Sequence, residues 1–154
     1  MSDLDKSFQN LQQLVRAIWP QLQEIDWSLY CTQNYKAEPG EAPWNTGLVM
    51  DYAVDGVRAD YVCLGAVPDI SGAFKALDNK HQSIKSNPSV DSSLETRNPE
   101  KNIWAGGQRM SPGSRVTFAV TEMVDLGDHL LLRPLMFEVG MLTHQHLLAD
   151  RDSE

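Results

Sequence analysis

The chain has 154 residues and carries 21 acidic against 13 basic side chains, a formal net charge of −8 at pH 7. That length suits one domain able to bury about 70 % of the surface its unfolded chain exposes, and the acidity argues against a nucleic-acid partner, which needs clustered Lys and Arg to release counterions. No apolar run reaches the ~18 residues of a membrane span, and the first residues lack the basic-then-apolar order of a signal peptide, so a cytoplasmic protein with no membrane partner is expected.

The strongest periodic signal comes first. Leu4, Phe8, Leu11, Val15, Ile18, Leu22 and Ile25 recur at alternating steps of four and three, which lines them along one side of an α-helix. Such a stripe has to be buried, against the domain's own sheet or at a dimer interface. Pro20 cannot donate to the Arg16 carbonyl, so a kink or restart is expected there. Ser2 is the expected N-cap, with Asp3 and Asp5 where the helix dipole favours negative charge.

The period then falls to two. Residues 26–35 alternate Trp27, Leu29 and Cys31 with Ser28, Tyr30 and Thr32, the pattern of a half-buried strand. After a loop carrying Pro39, Gly40 and Pro43, two alternating runs at 47–54 and 57–64 flank Asp55-Gly56, the preferred pair for a two-residue type I′ hairpin. A regular ladder from that turn sets Val54 against Val57, Ala53 against Arg58, Tyr52 against Ala59 and Asp51 against Asp60. Asp51 and Asp60 thus become the candidate metal ligands, because adjacent carboxylates share a cation or raise one another's proton affinity. The competing reading is a solvated pair whose repulsion Arg58 offsets. Cys31 and Cys63 form no C-x-x-C pair and read as reduced core residues.

Pro68-Asp69 opens a second helix, with Asp69 as N-cap and Ile70, Phe74, Leu77 and Ile84 on one side. His81 falls on that stripe and reads as a packed residue. Residues 78–102 hold almost no large apolar side chains, so a polar, mobile loop is expected at about 83–102. Ser111-Pro112-Gly113-Ser114 reads as a type II turn leading into a strand at 115–123 with Val116, Phe118 and Val120 on one face. Residues 130–132 are expected to return as a second strand, completing a second hairpin. Pro134 stops that strand or bulges it, 135–139 fits strand or helix, and 141–149 is expected to be helical.

Nothing in the chain specifies a cofactor or a catalytic residue. Gly106-Gly107 lacks the other glycines and the lysine of a phosphate loop. His144 and His146 share a face only on a strand; on a helix they point about 200° apart. Asp128-His129 has no nucleophile fixed nearby by any motif. The aromatics, in contrast, crowd one third of the chain, interleaved with acids. Trp27, Tyr30, Tyr35, Trp44 and Tyr52 are the candidate partner-binding residues of an acidic, aromatic surface suited to a basic or apolar peptide.

The expected architecture is a single α+β domain over 1–154. An antiparallel sheet of about five strands in two hairpins is covered on one face by the N-terminal helix and one or two more. In element order and acidity it resembles the class I chaperones of type III secretion, homodimers that hold an unfolded protein segment. The resemblance implies a non-catalytic adaptor or chaperone-like module, a homo-oligomer with a protein or peptide partner. The alternatives are a small enzyme or metal-binding protein built on Asp51 and Asp60, and a small-ligand binder using the aromatic strands.

Overall fold

The computed structural model describes residues 3–24, 47–122 and 125–138. The strand expected at 26–35, the helix at 141–149, and residues Ser2, Trp27, Tyr30, Cys31, Tyr35, Trp44, His144 and His146 lie outside them.

The fold is α+β. In chain order the elements are α1 (Asp3–Glu24), β1 (Gly47–Val54), β2 (Val57–Gly65), α2 (Ile70–Lys85), a 3₁₀ turn (Pro99–Lys101), β3 (Gly107–Arg109), β4 (Val116–Thr121) and α3 (Asp125–Glu138). The described strands form a four-stranded antiparallel sheet in the order β2-β1-β4-β3. None of the described helices is long and apolar enough to cross a membrane.

On one face α1 and α3 close the main core. The heptad-like stripe delivers Phe8, Leu11, Val15 and Leu22 to it, where they meet Leu48, Met50, Tyr52, Phe118, Val120 and Met136. Tyr52 sits between Phe8 and Phe118, with ring centroids 4.8 and 5.7 Å away, and its hydroxyl donates to Asp5 Oδ1 at 2.5 Å, tying the sheet to the first turn of α1. α1 continues through Pro20.

α2 covers the other face, so the helices are not confined to one side as expected. Val49, Ala73, Leu77 and Ala119 form a smaller apolar cluster there, and β1, covered on both sides, is buried from Gly47 to Ala53. Asp69 caps α2 as its sequence predicts, its Oδ1 accepting from the Gly72 amide at 2.9 Å. The helix comes down closely on β3: a Cβ at Gly107 would lie 3.1 Å from the Lys80 Cβ and 3.0 Å from the Ser93 Oγ.

Asp55 (φ 53°) and Gly56 (φ 80°) take the left-handed conformations of a type I′ turn, and the Val54–Val57 and Ala53–Arg58 pairs form as expected. There the regular ladder ends. Ala59 is bulged, Tyr52 pairs with Asp60 and Asp51 with Tyr61. One extra residue reverses the facing of everything beyond it: Val62 and Leu64 enter the main core, while Tyr61 and Cys63 turn to the α2 side.

The second hairpin also differs. The turn at Ser111–Ser114, closed by the Ser114 amide on the Ser111 carbonyl at 2.9 Å with Gly113 at φ 78°, joins β3 to β4. Residues 130–132 lie inside α3, with Pro134 in the helix after them. Leu131, Leu132, Leu135 and Met136 are buried together, and that spacing of one, three and four is a helical face, not a strand's. The polar stretch 86–102 is tied by hydrogen bonds to β3 and to the residue that follows it. Ser92 bridges Gln108, Asn98 bridges Ile103, and Ser93 Oγ accepts from the Gly107 amide at 2.8 Å.

Candidate functional site

Covering β1 on both faces forces its one charged residue into the interior. Asp51 has no exposed surface, and burying a carboxylate without partners would be prohibitive. Each oxygen therefore has one. Oδ2 accepts from Arg58 Nε at 2.8 Å, and Oδ1 meets His81 Nε2 at 2.7 Å. The other ring nitrogen, Nδ1, lies 2.5 Å from Thr117 Oγ1. Four elements supply the cluster: β2, β1 and β4, which are hydrogen-bonded neighbours in that order, and α2 packed over them.

The roles follow from the acceptors. A carboxylate only accepts, so His81 Nε2 carries the proton toward Asp51, and in neutral imidazole Nδ1 then accepts from the Thr117 hydroxyl. Hydroxyl, imidazole and carboxylate in this sequence is the arrangement of a nucleophile, its base and the group that orients the base. What it lacks is access. His81 is 1 % exposed and Thr117 4 %, so no substrate carbonyl reaches the hydroxyl while α2 is seated. Lys80 is buried beside His81, with Nζ donating to the Val120 carbonyl. As arranged, the cluster pins α2 to the two central strands.

Arg58 carries the network outward. Its Nη2 donates to the Phe74 carbonyl (3.2 Å) and to Asp78 (2.7 Å), and its guanidinium lies 4.4 Å over the Phe74 ring. Tyr61 meets that ring edge-on at 5.0 Å. α2 lies over β4, β3 and β1, so the residues that the Ala59 bulge turns to this face of β2 remain open. Tyr61 is 50 % exposed and Ile70 38 %; Cys63 is exposed as well, contrary to the core position its alternation predicts. Partial desolvation pushes the Cys63 thiol up, which keeps it a protonated, weak nucleophile. Tyr61, Cys63, Ile70 and Phe74 thus outline an apolar strip between β2 and α2. Asp69 closes one end and the Arg58–Asp78 pair the other.

Asp51 and Asp60 do not meet. The bulge places Asp60 across from Tyr52, on the α1 side of the sheet, while Asp51 faces α2, so the paired carboxylates that a shared cation requires are not formed. Asp60 instead accepts the Tyr61 amide on Oδ1 at 2.8 Å. Among the described residues no group of three or more His, Cys, Asp or Glu converges as a metal site would. Tyr52 is in the core. Among the described residues the exposed aromatic of this hairpin is Tyr61, which a regular ladder continued past Asp60 would set against Met50 on the apolar core face.

His81 is packed, as its place on the α2 stripe predicts, but its partners were not visible in sequence. One signal pointed to Asp51: 47–54 is apolar at nearly every position, the mark of a strand buried on both faces, and a single acid in such a run requires buried partners. Comparison with protein-family models, curated proteins and solved structures finds no match to the chain.

Proposed function

We propose that this chain is a non-catalytic, cytoplasmic protein-binding module that holds an apolar, basic-flanked segment of another protein on the strip between β2 and α2. The observation that carries the reading is the exposed Tyr61, 50 % accessible and packed edge-on against Phe74, with Ile70, at 38 % exposure, one turn before Phe74 on α2 and the exposed Cys63 two residues after Tyr61 on β2. Exposed aromatic anchors of this kind dominate binding energy at protein interfaces. Asp69 and Asp78 at its ends and the net charge of −8 favour a basic partner through electrostatic complementarity. The enclosure of Thr117, His81 and Asp51 supports the same conclusion by withholding the one catalytic-type arrangement among the described residues from solvent.

Docking is expected on the face of β2 and not by strand addition. The Ala59 bulge and the Asp60 carboxylate on the Tyr61 amide are the devices that protect a sheet edge from pairing. The test is fluorescence anisotropy with a short labelled peptide alternating lysine and valine, against its glutamate–valine counterpart. Binding of the basic peptide that Tyr61→Asp removes supports the proposal; equal binding of both peptides, or no effect of Tyr61→Asp, contradicts it. The order of elements and the acidity extend the reading to an adaptor or chaperone that works as a homodimer. Light scattering checks that part, and a monomer at every concentration would remove it.

A further inference from the structure

The two faces of the sheet hold their helices differently. Rings of Phe8, Tyr52 and Phe118 lock α1 in place, whereas the fully buried apolar seat of α2 is the small cluster of Val49, Ala73, Leu77 and Ala119. The other buried anchors of α2 are ionisable: Lys80 on the Val120 carbonyl, and His81 between Asp51 and Thr117. A helix of 16 residues lifted from that seat is marginal in water.

The hydrogen bonds of His81 close in one protonation state. With Nε2–H toward Asp51, the neutral Nδ1 accepts from the Thr117 hydroxyl. A second proton turns Nδ1 into a donor, and the hydroxyl hydrogen of Thr117, a residue 4 % exposed, loses its one acceptor among the described residues.

The surrounding charges offer that added cation no carboxylate of its own. β1 supplies Asp51, which Arg58 of β2 already engages at 2.8 Å. α2 supplies Lys80 and Asp78, and Asp78 holds the other side of Arg58 at 2.7 Å. β3 sets Arg109 across from Thr117, with Asp91 at 3.7 Å from it. β4 contributes the neutral Thr117; Glu122 lies beyond its end, about 16 Å along the strand from Thr117.

We propose that the Thr117–His81–Asp51–Arg58 cluster is an acid-released latch on α2, closed while the imidazole is neutral and opened when it takes up a proton. α2 carries Ile70 and Phe74, so opening takes the strip apart. The latch itself does not depend on what the strip binds.

Native-state hydrogen exchange of the full chain tests it between about pH 8 and 5, the span in which histidine changes charge. Protection factors in α2 are compared with those in β1 and β4. Protection in α2 is expected to fall as pH drops below about 6.5, approaching tenfold per pH unit for one proton taken up on opening, while β1 and β4 hold. In His81→Gln, which keeps a donor for Asp51 and does not titrate, the fall should disappear. Where that variant folds poorly, the imidazole nitrogen shifts of the wild type decide, with a neutral ring expected for as long as α2 stays protected. A pH-independent α2, a parallel loss in β1 and β4, the same fall in His81→Gln, or a charged imidazole beneath a protected α2 would each overturn the proposal.

Discussion

The Asp51 carboxylate and the His81 imidazole meet at 2.7 Å with essentially no solvent access to either. Removing one member of such a pair leaves the other's charge or lone pair buried, which costs about 3–5 kcal/mol. His81→Ala is therefore expected to destabilise the fold by that amount in urea titration, and to unpair Thr117 as well. Thr117→Val, which preserves shape and removes the hydroxyl, should cost about 1–3 kcal/mol. If the cluster worked as a catalyst, Thr117→Val would instead abolish a hydrolytic activity at unchanged stability.

Tyr52 gives the fold a distinctive alkaline response. Burial first, then the hydrogen bond to Asp5 and the charges of Asp5 and Asp60, push its hydroxyl up to about 12 from 10.0. A group whose folded value is raised contributes stability that is complete below the unfolded value and lost as pH rises through the folded one. The window is therefore about pH 10 to 12. Tyr52→Phe should remove this part of the pH dependence while lowering stability at neutral pH by about 1 kcal/mol for the lost hydrogen bond. Chemical denaturation of both proteins across that window checks it; parallel profiles would contradict the assignment.

Glu122, at the end of β4, combines two unfavourable features. Its backbone is left-handed, at φ 81°, and burial together with the charge of Asp69 raises its carboxyl above the ordinary value, against a lowering by Lys80. A raised acid contributes stability that is fully present at low pH and lost as pH rises through its folded value, so the ionised form weakens the fold at neutrality. Glu122→Gly relieves both features. A gain of about 0.5–1 kcal/mol at pH 7, shrinking under acid, is expected from thermal melts after the added chain entropy of glycine is subtracted.

The separation of Asp51 and Asp60 makes a prediction about metals. Divalent cations should not raise the melting temperature, and Asp60→Ala, at an exposed position, should shift stability by less than about 1 kcal/mol. Stabilisation by Zn²⁺, Mg²⁺ or Ca²⁺ that both Asp51→Ala and Asp60→Ala abolish would restore the shared-cation reading.

What could be read from the chain beforehand was local. The α1 stripe, the Asp55-Gly56 and Ser111–Ser114 turns, the Asp69 cap and the face shared by Val116, Phe118 and Val120 each depend on neighbours in sequence. What could not be read depended on a choice made in three dimensions. A ladder through Ala59 is acceptable by alternation, and only competition for the core, in which Val62 and Leu64 are better filling than Tyr61 and Cys63, selects the bulge. That one residue separates the acidic pair, exposes Tyr61 and leaves Arg58 facing Asp51. Likewise, Leu130 to Leu132 fits strand or helix until Leu135 and Met136 are seen to share a buried face.

The central claim is that partners meet the strip between β2 and α2 while the buried hydroxyl–imidazole–carboxylate cluster stays closed. Backbone NMR of the chain titrated with the lysine–valine peptide tests it most directly. The account predicts that shifts gather at Tyr61, Cys63, Ile70 and Phe74, leave Asp51, His81 and Thr117 unmoved, and vanish in Tyr61→Asp. Shifts centred on His81 and Thr117, with Tyr61→Asp still binding, would contradict it.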